Sequence, residues 1–161
     1  LLQAEAMVNF VLANGNFHAS STVLDLYCGV GLFSAFLAPM VHDVVAVELS
    51  ESACADFSDN LNAFDNVSLY IGAVEKVLPE LQLRSDIVLV DPPRAGLARL
   101  VVDAITASEP QQIIYVSCDP ATLARDCRRF TERGYKIDTV QPFDLFPQTY
   151  HIETICLLER I

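Results

Sequence analysis

A chain of 161 residues, 52% hydrophobic and 19% charged, has the size of one domain and can bury roughly 68–70% of the surface its unfolded form exposes. No apolar run reaches the roughly 18 residues that span a bilayer, and no charged head, apolar stretch and small-residue cleavage site mark a secretory leader. The net charge of −11 argues against gripping nucleic acid by bulk electrostatics.

Short β-rich apolar runs alternate with amphipathic segments, the pattern of βαβ units on a parallel sheet. Ala4–Ala13 reads as an opening helix closed by Asn14-Gly15. Val23–Tyr27 is the first strand, and Gly31–Leu37 opens the first crossover helix. Val44–Glu48 is the second strand; Ser50 then caps a helix to about Ala63, with Glu51 in its first turn. Val67–Ile71 is a third strand and Ile87–Asp91 a fourth, stopped by Pro92-Pro93. A helix is expected from about Leu97 to Ala107, then a strand at Gln112–Ser117. Asp119 serves as N-cap of the next helix, with Pro120 at its first position and Gly134 at its end. Tyr135–Val140 and Ile152–Leu158 are the last strands. The connection from Pro142 to Tyr150 has no helix-length pattern, so this last pair is expected to be antiparallel. Residues 1–161 therefore read as one doubly wound α/β domain with a seven-stranded, mostly parallel sheet.

The five cysteines are odd in number and form no C-x-x-C pair, so neither a disulfide framework nor a metal centre is indicated. Reduced thiols in a cytoplasmic protein are the plain reading. Charge is uneven: residues 1–80 hold ten acidic groups against one basic, the remainder eleven against nine. Arg125, Arg128, Arg129 and Arg133 share one helix face, either a solvated face or a strip facing phosphate. Because the chain starts at Leu1 rather than Met, it is expected to be the C-terminal piece of a longer protein.

Five segments carry chemistry. In Val23-Leu24-Asp25-Leu26-Tyr27-Cys28-Gly29-Val30-Gly31, a strand runs into a tight glycine turn where backbone amides can approach a ligand closely. The dinucleotide fingerprint fails here, because Ser34 stands at its third glycine, and Asp25 would repel a pyrophosphate while suiting an ammonium. Glu48 ends the second strand, where a nucleotide-binding fold places an acid for ribose hydroxyls. Asp91-Pro92-Pro93-Arg94-Ala95-Gly96 follows a wholly apolar strand, its prolines holding Asp91 and Arg94 still beside the same edge. In Ser117-Cys118-Asp119-Pro120, Cys118 sits where a strand meets a helix N-terminus, whose dipole favours the nucleophilic thiolate. In His151-Ile152-Glu153, the His and Glu alternate to one face, and the carboxylate is a candidate proton acceptor. Each has a plainer reading: a structural turn, a surface charge, a rigid loop, a packing cysteine, a solvated strand face. The combination favours chemistry.

Together the segments resemble the bacterial RNA 5-methyluridine methyltransferases, which use S-adenosyl-L-methionine and modify tRNA or 23S rRNA. The resemblance rests most on D-P-P-R-A-G at Asp91–Gly96, S-C-D-P-A-T-L-A-R-D at Ser117–Asp126 and H-I-E at His151–Glu153. It implies a Rossmann-like methyltransferase sheet, a catalytic nucleophile at Cys118 and a base at Glu153. It also implies cofactor contacts at Tyr27, Glu48 and Asp91, with Gly29 shaping the turn and Asp25 just ahead of it. No metal and no membrane are implied, and most of the RNA-binding surface is expected in upstream domains. Leu32 and Ala73 depart from the polar residues often found at those positions. An amino-methyltransferase is the nearest alternative, although Arg94 stands where such enzymes carry an aromatic residue. A cofactor-binding module without catalysis is another.

Overall fold

The computed structural model describes residues 2–144 and 152–161. Helix α1 (Leu2–Asn14) is followed by β1 (Thr22–Leu26), α2 (Leu32–Leu37) with a short 3-10 turn at Ala38–Met40, and β2 (Asp43–Glu48). Next come α3 (Glu51–Leu61), β3 (Val67–Ile71), α4 (Val74–Glu80) and β4 (Ile87–Val90). The chain continues through α5 (Arg99–Ala107), β5 (Gln112–Ser117), α6 (Pro120–Thr131), β6 (Tyr135–Phe143) and β7 (Glu153–Arg160).

The seven strands form one sheet in the order β3-β2-β1-β4-β5-β7-β6. Strands β1 to β5 pair in parallel, while β7 inserts antiparallel between β5 and β6. The expected antiparallel ending is thus present, and it gives β7 two antiparallel neighbours.

Alternation along the strands feeds two cores. Ile87 and Leu89 of β4 face one side, where α1 and α2 contribute Val8, Val11, Phe33 and Leu37. Val88 and Val90 face the other, against Leu78, Val101, Ile105, Leu123 and Phe130 of α4, α5 and α6. A strand buried on both faces must be apolar at every position, which explains the run Ile87-Val88-Leu89-Val90. Helix α3 closes a smaller third cluster through Phe57 and Leu61 against Ala46.

Two departures from expectation have local causes. Helix α4 carries no capping side chain at Ala73 and holds Pro79 inside its seven residues, so its sequence signal is weak. Helix α5 starts at Arg99 rather than Leu97, because Ala98 is extended (φ −64°, ψ 149°) and serves as N-cap, while the Leu97 N–H is donated to Asp126 Oδ2 at 2.8 Å.

Candidate active site

The chemistry-bearing segments converge above the C-terminal ends of β1, β2, β4 and β5, the edge where open α/β sheets take ligands. Because β7 runs the other way, its first residue, Glu153, lies at that same edge.

The turn after β1 is built on left-handed backbone, with φ of 60° at Tyr27, 55° at Gly29 and 84° at Gly31. A Cβ at Gly31 would lie 2.4 Å from Leu61 Cδ1 and 2.8 Å from Phe57 Cδ2, so this glycine lets the turn seat against α3. A Cβ at Gly29 would meet nothing within 4 Å, so that glycine leaves bare backbone facing open space. Gly29 donates its N–H to Glu48 Oε2 at 2.9 Å. Glu48 Oε1 accepts from the Leu49 and Ser50 N–H groups at 2.8 and 2.7 Å. A carboxylate offers about four acceptor positions, so Glu48 retains capacity for a hydroxyl.

A cavity of about 420 Å³ opens beside this turn, lined by Tyr27, Glu48, Ala73, Glu75, Asp91 and Pro93 among others. Tyr27 donates its hydroxyl to Glu75 Oε1 at 3.0 Å; partial burial, reinforced by the Glu75 charge, pushes the phenol up and keeps it protonated. Asp91 is fixed by its N–H, which donates to Leu26 O at 3.2 Å. Loss of surrounding water, followed by the charges of Glu153 and Asp25, pushes the Asp91 carboxyl up to about 7.

Asp25 sits beneath the turn rather than in the cavity wall. It is buried, its Oδ2 accepts from Ser34 Oγ at 2.6 Å, and its Oδ1 has no partner. Burial pushes its carboxyl up to about 7, the Ser34 hydrogen bonds opposing and Glu48 adding to the shift.

Cys118 is half-buried in the step between β5 and α6. Asp119 caps the helix, its Oδ1 accepting from Ala121 and Thr122 N–H at 3.0 and 2.9 Å. The Thr122 N–H, chief among several hydrogen bonds, and the positive charge of Arg94 hold the Asp119 carboxyl below its usual range. The segment after D-P-P-R packs on the same helix, through hydrogen bonds of Ala95 and Leu97 to Arg125, Asp126 and Arg129. Ser117 pairs with Thr154 across the β5–β7 ladder. Continuing that antiparallel register by one residue sets Cys118 opposite Glu153. Of the residues expected to act, Tyr27, Gly29, Glu48, Asp91, Cys118 and Glu153 thus share one edge, with Asp25 buried below. His151 lies outside the described residues.

The parts played by two further residues are not visible in the sequence. Glu75 has no spacing signal and is revealed only by its bond to Tyr27. Asp126 is concealed in the arginine-rich helix: Arg125 and Arg129 both pair with its Oδ1, at 2.9 and 3.0 Å. Arg128 pairs with Glu132 and Arg133 with Asp103. Arg125, Arg129 and Arg133 are therefore tied down by ion pairs, while Arg128, paired with the exposed Glu132, remains on a solvated face. Among the described residues, no group of three His, Cys, Asp or Glu side chains could hold a metal, and no helix is long and apolar enough to cross a membrane.

The architecture is that of α/β methyltransferases. Precorrin-6y C5,15-methyltransferase from Geobacter metallireducens matches with a TM-score of 0.79 at 15% identity, covering 96% of this chain and 88% of its own, a likeness of fold alone. The family is more specific: the tRNA (uracil-5-)-methyltransferase profile matches residues 3–161, and the chain belongs to that family. An uncharacterized RNA methyltransferase of Halalkalibacterium halodurans is 41% identical over 162 residues, covering 98% of this chain and 35% of the relative. Among solved structures, the Pyrococcus abyssi tRNA (uracil-54, C5)-methyltransferase in complex with S-adenosyl-L-homocysteine matches with a TM-score of 0.83 at 32% identity. That match covers 97% of this chain and 38% of the relative. The chain spans little more than a third of the length of these two relatives.

Proposed function

We propose that this chain is the catalytic domain of an enzyme that transfers a methyl group from S-adenosylmethionine to carbon 5 of a uridine in tRNA or rRNA, with Cys118 as nucleophile and Glu153 as base. The observation that carries the reading is the β5–β7 register, whose last pair is Ser117 with Thr154; continued by one residue it brings Cys118 opposite Glu153, at the edge that also holds the Tyr27–Glu48–Asp91 cavity. Family membership and the ligand of the Pyrococcus relative support the cofactor.

The residues present suit that cofactor. Glu48 has acceptor capacity left for ribose hydroxyls, Gly29 bares backbone toward the open side, and Asp25 keeps a buried, unpartnered oxygen at the base of the turn. An unsatisfied buried acceptor costs about 1–3 kcal/mol, and a nearby ammonium offsets this. Bound S-adenosylmethionine supplies an electrophilic methyl group.

Carbon 5 of uracil is a poor nucleophile until the ring is activated. The Cys118 thiolate forms a bond to carbon 6, and the displaced electron pair becomes an enolate that makes carbon 5 nucleophilic. Once carbon 5 is methylated, Glu153 takes its proton, the carbon–sulfur bond breaks, and the thiolate returns. The base must leave its stack to meet both side chains. Arg94 stands where an amino-methyltransferase would place an aromatic ring against the base, which favours the uridine reading. An RNA substrate and five free cysteines fit a cytoplasmic protein.

The test uses the intact protein with S-adenosylmethionine and RNA carrying 5-fluorouridine. Fluorine cannot leave as a proton, so a covalent adduct is expected on the peptide containing Cys118. Absence of an adduct, from protein shown to bind both ligands, overturns the reading.

A further inference from the structure

Asp126 is fully buried in the second turn of α6, yet it carries a carboxylate. Its Oδ2 accepts from Leu97 N at 2.8 Å and from the Tyr115 hydroxyl at 2.9 Å. Its Oδ1 accepts from Arg125 Nε and Arg129 Nη1 at 2.9 and 3.0 Å. The two arginines then reach on to the loop backbone: Arg125 Nη2 donates to Ala95 O at 2.8 Å, and Arg129 Nη1 to Leu97 O at 3.0 Å. A buried charge persists only when satisfied in this way. Gly96, at φ 70°, lies so close that a Cβ there would fall 2.5 Å from Asp126 Oδ2 and 2.6 Å from Arg125 Nη2.

The two ends of the D-P-P-R-A-G loop are therefore held differently. Asp91 is fixed by the sheet through its bond to Leu26 O. The far end, Ala95–Leu97, is held by side chains of α6, the helix that begins two residues after Cys118. Arg94 lies between these anchors in sequence, and the helix that holds the far one is capped by Asp119, the neighbour of Cys118.

We infer that Asp126 is a positioning residue for the reaction: with Arg125 and Arg129 it clamps Ala95–Leu97 onto α6 and so sets the Arg94 loop against the Cys118 turn. This inference rests on the uridine-methylation reading. It separates binding from chemistry, because the cofactor side of the loop is anchored by the sheet and the nucleophile side by the clamp.

Three variants of the intact protein test it: Asp126→Asn, Gly96→Ala and Phe130→Leu. Each is assayed for S-adenosylmethionine affinity and for both the rate and the endpoint of 5-fluorouridine adduct formation. The endpoint counts folded, competent sites, so the rate is read per site. Asp126→Asn and Gly96→Ala are expected to slow adduct formation about 10–100-fold, the scale of a small misplacement of reacting groups, with cofactor affinity retained. Phe130→Leu thins the core under the same helix while removing none of the hydrogen bonds that hold Ala95–Leu97, and is expected to lower thermal stability at wild-type rate per site. If Asp126→Asn does not fold, Gly96→Ala decides. Wild-type rates per site in the clamp variants overturn the clamp alone, whereas a wild-type protein that forms no adduct overturns the underlying reading and the clamp with it.

Discussion

Gly29 donates its backbone N–H to Glu48 Oε2 at 2.9 Å, tying the turn after β1 to the end of β2. The same carboxylate holds the Leu49 and Ser50 N–H groups, so one side chain shapes both walls of the cavity mouth. Glu48→Ala removes these acceptors together with the proposed ribose contact. A hydrogen bond to a charged group contributes about 1.5–3 kcal/mol, so S-adenosylmethionine affinity is expected to fall by at least about tenfold. Glu48→Gln keeps one acceptor oxygen and should fall between the two. Calorimetric titration reads the order; an alanine variant that binds like wild type removes Glu48 from the cofactor site.

The two glycines of the turn differ, and substitution should show it. At Gly31 an added Cβ meets Leu61 and Phe57 as well as an unfavourable φ of 84°. At Gly29 only the φ of 55° opposes a side chain. Left-handed backbone costs about 1–2 kcal/mol and overpacking about 1–3 kcal/mol. Gly31→Ala should therefore lose on the order of 3 kcal/mol of unfolding free energy and Gly29→Ala about 1 kcal/mol. Denaturant titration compares them, and equal losses contradict the packing argument.

How much of this is legible in the sequence follows from where each signal resides. The strands β3 and β5 and the Asp119–Pro120 helix start are readable to the residue, because apolar runs and an N-cap are local properties. Tyr27, Gly29, Glu48, Asp91 and Cys118 are readable because they stand at or just past the C-terminal ends of parallel strands, which share one edge whatever their separation in sequence; Glu153 joins them as the first residue of the antiparallel β7. The bonding role of Asp126, the last residue of the Ser117–Asp126 motif, is not readable. Its partners Leu97 and Tyr115 are 29 and 11 residues away, and its arginine neighbours mimic a solvated face until the loop is packed against them. The sequence puts Asp25 among the ligand contacts, but nothing in its position there reveals that it lies below the turn with one oxygen unpartnered.

That buried oxygen predicts a pH dependence of opposite sign to the usual acid. A carboxyl whose folded pKa is about 7, against 3.8 in the unfolded chain, holds its proton more tightly when folded. Its contribution is fully present below about pH 3.8 and is lost as pH rises toward 7, because the folded state must then accept a buried charge. Asp25→Asn should remove this loss. Each tenfold change in proton affinity corresponds to about 1.4 kcal/mol, so the variant gains a few kcal/mol at most at pH 8. If Asp25 also receives the cofactor's ammonium, the same variant binds S-adenosylmethionine more weakly. Thermal melts across about pH 4–9 and a binding titration read both; an Asn variant less stable than wild type at pH 8 contradicts the burial argument.

Glu153 and Cys118 make separable predictions, because one acts after the other. Cys118→Ala removes the attacking atom, so neither product nor adduct should form. Glu153→Gln leaves attack and methylation intact but removes the acceptor for the carbon 5 proton, and loss of a general base slows its step about 10²–10⁴-fold. The covalent complex with ordinary uridine RNA should then accumulate and appear as a shifted band on a denaturing gel. If Glu153→Gln turns over without accumulation, the base lies elsewhere. Asp91 is the next candidate, since its carboxyl lies close enough to feel the Glu153 charge and sits near 7, where it can accept a proton at neutral pH. The same gel run with Asp91→Asn would then show the trapped complex.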